Sequence, residues 1–106
     1  MPKYLFRASY TAAGAAGLLK EGGSSRARVV EALAKSLGGS IESMYWAFGA
    51  DDFYAIGELP DANAAAALSL TVGASGAVNV TTSPLLSAAD VDEVVRRRVE
   101  YRPPGA

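Results

Sequence analysis

Two ionisable residues stand inside otherwise apolar runs of this 106-residue chain: Arg7 in KYLFRASY and Glu58 in FYAIGEL. A charge kept in an apolar strand is costly unless something pairs with it; on neighbouring first and third strands the two are expected to pair with each other, leaving charge where a polar ligand could bind. Tyr45 and Trp46, from the apolar run MYWAF, complete a candidate ligand-binding set of Arg7, Tyr45, Trp46 and Glu58. Between MYWAF and FYAIGEL lies an acidic pair, Asp51 and Asp52. Adjacent residues of an extended chain point to opposite faces, which places the two carboxylates poorly for sharing a proton. A turn suits them better, because aspartate bonds its own backbone in Asx-turns and tolerates left-handed geometry. Gly49, Asp51 and Asp52 are therefore read as a turn motif.

The chain has no cysteine and no histidine. Thiolate nucleophiles, disulfides, Ser-His-Asp triads, ordinary zinc sites and histidine-ligated haem are thereby excluded. Any catalysis would fall to Tyr, Asp, Glu, Lys or Arg, and neither a metal nor a cofactor is expected. Seven aromatics, Tyr4, Tyr10, Tyr45, Trp46, Phe48, Phe53 and Tyr54, surround the hairpin and the first strand. Most aromatics at strand spacing fill a core or an interface. The functional alternative is a pocket between sheet and helices in which a tyrosine hydroxyl orients a small aromatic or quinone-like molecule. One further candidate is KEGGSSR, where backbone N–H groups at a helix start, with Arg26 and Arg28, would form an anion site.

The net charge of −1 gives no field that draws the chain to nucleic acid or to a membrane surface. No apolar run approaches the ~18 residues of a membrane span, and a cytoplasmic location is the expectation. Charge is unevenly spread: no basic residue occurs between Lys35 and Arg96, while Glu42, Asp51, Asp52, Glu58 and Asp61 all fall there. Helix decoration and salt bridges between subunits account for such a pattern.

The elements that must position these groups follow from periodicity. Alternation makes residues 3–10 a strand. Thr11 caps a helix over 12–20, and EGGSS breaks it before a second helix that carries Val30, Leu33, Ala34 and Leu37 on one face. Residues 40–48 are expected as a strand, with Ile41, Tyr45 and Ala47 on one side and Met44, Trp46 and Phe48 on the other. Residues 53–59 return as its hairpin partner. Asp61 caps an alanine-rich helix, residues 77–85 form a last strand stopped by Pro84, and Ser87 with Asp90 starts a helix over 88–98.

This order is the split βαβ plan of a ferredoxin-like α+β fold, βαββαβ with an added C-terminal helix. Residues 1–98 are expected as one domain and 99–106 as a tail; a chain of this length buries roughly 65% of its unfolded surface. Right-handed crossovers put both helices on one face of the sheet and leave the other bare. Since neither side of 40–48 is polar, the bare face is expected to be a large apolar patch on the order of 400 Å². Two such faces meeting across a two-fold axis would give a homodimeric α+β barrel.

The stretches LLKEGGSSR, LGGSIESMYWAFGADDFYAIGELPD and ASGAVNVTTSPLLS resemble the bacterial GYD-domain family over residues 3–94. That family carries a glycine, one intervening residue, a tyrosine and an aspartate at the hairpin. Gly49 and Asp52 match, and Asp51 occupies the tyrosine place. The resemblance implies a ferredoxin-like dimeric α+β barrel and assigns no reaction. A homodimeric module that binds a small molecule is the leading expectation. A cofactor-independent monooxygenase or isomerase and a protein-interaction module are the alternatives, since fold alone does not choose among them.

Overall fold

In the computed structural model, which describes residues 1–106, eight elements follow in the expected order. β1 (Lys3–Tyr10) leads through α1 (Ala12–Glu21) and α2 (Gly23–Ser36) to β2 (Ser40–Trp46). β3 (Phe53–Glu58), α3 (Ala62–Ala74), β4 (Val78–Leu85) and α4 (Ala88–Arg96) complete the chain. All strand pairings are antiparallel, and the sheet order is β2-β3-β1-β4. This is the ferredoxin-like α+β arrangement.

Alternation in the two central strands decides where the core sits. Tyr4, Phe6 and Ala8 of β1 lie opposite Gly57, Ala55 and Phe53 of β3, and all six are buried on one face. Onto that face α2 brings Val30 and Leu33, with Leu37 just past its end, and α3 brings Ala65 and Leu68. A hydroxyl bond between Ser69 and Thr82 ties α3 to β4. The space left inside is about 50 Å³, room for water and too little for a ligand.

Caps account for where the helices begin. The Thr11 hydroxyl accepts from the Gly14 N–H and donates to the Gly76 carbonyl, while the Thr11 N–H donates to the Ala77 carbonyl at 3.0 Å. These bonds fasten the start of α1 to the entry of β4. The approach is so close that a Cβ on Gly14 would collide with the Ala77 carbonyl oxygen. Asp61 caps α3 through the Ala64 N–H, and Ser87 with Asp90 forms a reciprocal capping box on α4.

Several boundaries differ from the sequence expectation, and one difference matters. β2 stops at Trp46, and the register shifts between Ile41 and Ser43, so Glu42 is an extra residue without a partner. A bulge breaks the period of two. Ile41 therefore joins Met44 and Trp46 on the helix side, and Ser43 and Tyr45 face the other way. The expected grouping of Ile41 with Tyr45 is overturned.

The expected large apolar patch is overturned as well, because Leu5, Tyr54 and Ile56 are interleaved on the bare face with Lys3, Arg7, Ser9, Ser43 and Thr81. α2 starts at Gly23 and not after the Ser pair, α3 runs on to Ala74, and α4 ends at Arg96. β4 continues through Pro84 to Leu85, which an edge strand tolerates. No helix is long and apolar enough to cross a membrane.

The far end of the chain is unlike the rest. Every residue from Leu86 onward is exposed, and α4 buries none of its side chains. The molecule measures 57 × 33 × 22 Å, and its radius of gyration is 16.8 Å, against about 13 Å for a compact chain of this length.

Candidate functional site

The connection between β2 and β3 divides its two aspartates between opposite sides of the sheet. On the helix side, the Asp52 N–H donates to the Ala8 carbonyl and its carboxylate accepts from the Tyr10 N–H, both at 2.8 Å. These bonds carry the β1–β3 ladder past Phe53 and pin the hairpin to the end of β1. On the bare side, the Asp51 carboxylate accepts from Ser9 and Tyr54, each at 3.5 Å, and lies 3.9 Å from the Arg7 guanidinium. Two further bonds, Ala47 N–H to the Asp52 carbonyl and Gly49 N–H to the Asp51 carbonyl, close the loop.

Beside this hairpin the end of β1, α1 and the loop border an open cleft of about 570 Å³, with Leu19 of its wall 90% exposed. Its wall is Leu18, Leu19 and Ala15 of α1 with Gly23, and facing them Tyr10, Trp46, Phe48 and Asp52. A volume of 300–1,000 Å³, mostly apolar with a few polar groups, is the usual form of a small-molecule site. Trp46 is held firmly: its ring packs on Phe53 with centroids 4.9 Å apart, and its Nε1–H donates to the Tyr10 hydroxyl at 3.0 Å. That bond occupies an oxygen lone pair of Tyr10 and leaves the phenolic proton able to donate. The Tyr10 N–H engages one Asp52 oxygen, and the other oxygen is open to a donor. The cleft thus offers an aromatic floor, one hydroxyl donor and one carboxylate acceptor.

Phe48 adds a second sign of function. Its φ is 53°, the one non-glycine residue of the chain with positive φ, and it is 65% exposed. Left-handed backbone costs a side-chain-bearing residue about 1–2 kcal/mol, and a ring this exposed recovers little by burial. A strained, exposed aromatic at the rim of a cleft is the arrangement expected where a contact is kept for binding.

The candidate set of Arg7, Tyr45, Trp46 and Glu58 does not converge. Trp46 lines the cleft, whereas Arg7, Tyr45 and Glu58 lie on the bare face. Tyr45, Tyr54, Arg7 and Thr81 form one row across the four strands. Glu58 is four residues along β3 from that row, about 13 Å away, and stands opposite Lys3. The expected pairing of Arg7 with Glu58 is therefore replaced by Arg7 with Asp51, and the Arg7 Nε is buried without an acceptor. Lys3 bonds the bulged Glu42 at 2.7 Å. That bond and the charge of Glu42, with a smaller contribution from Glu58, raise the Lys3 pKa above its usual 10.5.

Arg26 and Arg28 do not form a joint anion site either. Residues two apart on a helix point about 200° apart; Arg26 lines the small interior space and Arg28 is exposed. At the start of α2 the Ser25 hydroxyl donates to the Glu21 carboxylate at 3.0 Å, which brings a negative charge to the place an anion would take. No three acidic side chains are grouped to hold a metal ion.

Sequence reasoning named Tyr10 and Phe48 only among the aromatics around the hairpin, and it missed α1 as a wall altogether. The available signal was Leu18-Leu19, the one large apolar pair in a helix that before it holds only alanine and glycine.

No curated protein and no solved structure matches the chain. The GYD domain, by contrast, matches residues 4–95, which takes in the sheet but for Lys3, both halves of the cleft and α4 but for Arg96. The chain belongs to the GYD domain family.

Proposed function

We propose that the protein binds a small planar molecule, an aromatic or conjugated ring bearing a hydroxyl or carbonyl group, in the cleft between α1 and the hairpin, and that it does so as a homodimer. The observation that carries the reading is the composition of the cleft: about 570 Å³ of mostly apolar wall with the Tyr10 hydroxyl and the Asp52 carboxylate as its polar groups. The Trp46 and Phe48 rings supply flat surface for stacking, worth about 0.5–1.5 kcal/mol per aromatic contact beyond area alone. A ligand hydroxyl donates to Asp52, or a ligand oxygen accepts from Tyr10. Of the candidate set this reading uses Trp46, while Arg7, Tyr45 and Glu58 lie on the sheet face that a second copy would cover.

Trp46 is the only tryptophan, so its indole N–H gives one resonance that reports the cleft directly. Titration of the labelled protein with 2-naphthol is expected to shift that resonance in a saturable way and to leave the resonances of β4 and α4 in place. An indole resonance unmoved by millimolar 2-naphthol would overturn the proposal. Tyr10→Phe, which removes both the acceptor for Trp46 and the free phenolic proton, is expected to weaken binding about tenfold, the equivalent of one good hydrogen bond.

A further inference from the structure

α4 lies outside everything its own chain offers. Val91, Val94 and Val95 fall at i, i+3 and i+4 and make an apolar stripe; with Leu86, Val99 and Tyr101, which flank the helix in the chain, they are between 45% and 81% exposed. The opposite side carries Asp90, Asp92, Glu93, Arg96 and Arg97, with Glu93 bonded to Arg97 at 2.9 Å. A helix of nine residues is shorter than the ~12–15 that an isolated helix needs in water, and valine is a weak helix former. A well-capped amphipathic helix of this length requires something to pack on.

We infer that α4, with the tail through Tyr101, is an exchange arm that packs its valine stripe on a second copy of this chain. The inference rests on the homodimeric reading and names the element that makes the dimer. Area is the first argument. The chain exposes 7181 Å², whereas a compact monomer of 10.9 kDa exposes about 5600 Å². The excess is near 1600 Å², against the roughly 800 Å² that each partner contributes to a standard stable interface.

A bare sheet face and an uncovered helix on the same chain are both covered by one two-fold contact, each copy giving its arm and receiving the other's. Charge agrees: from Ser87 to the end of the chain four arginines, Arg96, Arg97, Arg98 and Arg102, stand against four carboxylates, Asp90, Asp92, Glu93 and Glu100. Counted through Arg102, one residue past the arm, the segment is neutral and meets no net repulsion from a body of charge −1. A membrane surface fits less well, because its helices pair Trp, Phe or Leu with a basic polar face, and this one pairs valine with a face that begins acidic.

The test is the full-length protein against Val94→Asp/Val95→Asp, followed by sedimentation velocity across a concentration series. The inference predicts that wild type is a dimer and that the double variant dissociates at least about a hundredfold more readily, the loss of two central contacts. The monomeric variant retains its thermal transition and its 2-naphthol response, since α4 buries nothing in its own chain. A wild-type dimer matched by a variant dimer of equal affinity would overturn the arm and leave the homodimer standing. A wild type that stays monomeric would overturn both, and monomers that attach through α4 to vesicles of phosphatidylcholine and phosphatidylglycerol would reassign the stripe to a membrane surface. If the variant does not fold, a mixture of isotope-labelled and unlabelled wild type decides the matter. Valine methyl NOEs from one copy to the other support the arm, and their absence removes it.

Discussion

Phe48→Gly separates the two roles an exposed aromatic at a cleft rim can have, because stability and binding are expected to respond differently. In the folded chain Phe48 sits at φ 53° with 65% of its surface exposed. Glycine removes left-handed strain of about 1–2 kcal/mol. Against that, the freer unfolded chain takes back about 0.5–1 kcal/mol, and the buried third of the ring, at about 1.5–3 kcal/mol for full burial, takes back a similar amount.

The sum is close to zero, so urea unfolding of Phe48→Gly is expected within about 1 kcal/mol of wild type. Phe53→Ala serves as the control. That ring is 7% exposed in the core, and its loss is expected to remove about 3–5 kcal/mol. Binding of 2-naphthol, read at the Trp46 indole, is expected to weaken about tenfold in Phe48→Gly through the lost stacking surface. A destabilisation above about 2 kcal/mol would show that the ring is a structural plug and refute the reasoning. So would unchanged affinity, which would leave the strain at Phe48 without a purpose.

Gly14→Ala drives a methyl into the Ala77 carbonyl and must push α1 off the sheet; a loss of about 1–3 kcal/mol in thermal unfolding is expected, with weakened 2-naphthol binding because α1 is one wall of the cleft. The two aspartates should differ: Asp52→Ala strands the Tyr10 N–H and is expected to lose about 1–3 kcal/mol. Asp51→Tyr removes a 3.9 Å ion pair and two long hydroxyl bonds of 3.5 Å at a partly exposed position and is expected to stay within about 1 kcal/mol in the same assay. Asp90 has its pKa lowered below the ordinary 3.8 by the Ser87 N–H and then by the Ser87 hydroxyl. What it contributes to α4 is therefore present above pH 3.8 and lost as pH falls through the lower folded value. Circular dichroism should show that step in wild type and not in Asp90→Asn.

The order of elements was legible because local rules governed it. Thr11, Asp61 and Ser87 each announced a helix start, and the alternation of Tyr4, Phe6 and Ala8 announced the core face of β1. The faces of β2 were not legible, since Glu42 looks like any exposed strand residue until β3 shows that it has no partner. That single extra residue moved Ile41 across the sheet, while Lys3, Arg7 and Ser9 of β1 make the bare face mixed whatever β2 does. The Arg7–Glu58 pairing failed for a related reason: strand neighbours can be read from topology, but register depends on where the β1–β3 pairing starts, and it placed Tyr54 and not Glu58 opposite Arg7. The cleft was half legible. Its aromatics gather around the hairpin in sequence, whereas its other wall comes from α1, brought there by the tertiary contact of Thr11 and Gly14 with β4.

The hairpin also shows how Asp51 can stand at the place where the resemblance leads one to expect a tyrosine. Asp51 and Asp52 are neighbours in sequence but serve opposite sides of the sheet, one toward Ser9, Tyr54 and Arg7, the other toward Tyr10 and the cleft. The backbone of the turn is held by the Asp52 N–H and carboxylate, by the Ala47 N–H and by the Gly49 N–H, none of which depends on the side chain at 51. A change at 51 therefore alters the chemistry of the bare face, where the Tyr45–Tyr54–Arg7–Thr81 row lies, and leaves the cleft as it was. The two surfaces can vary separately: in the proposed dimer the bare face and α4 would meet the second copy, and in the proposed binding mode the cleft would hold the ligand.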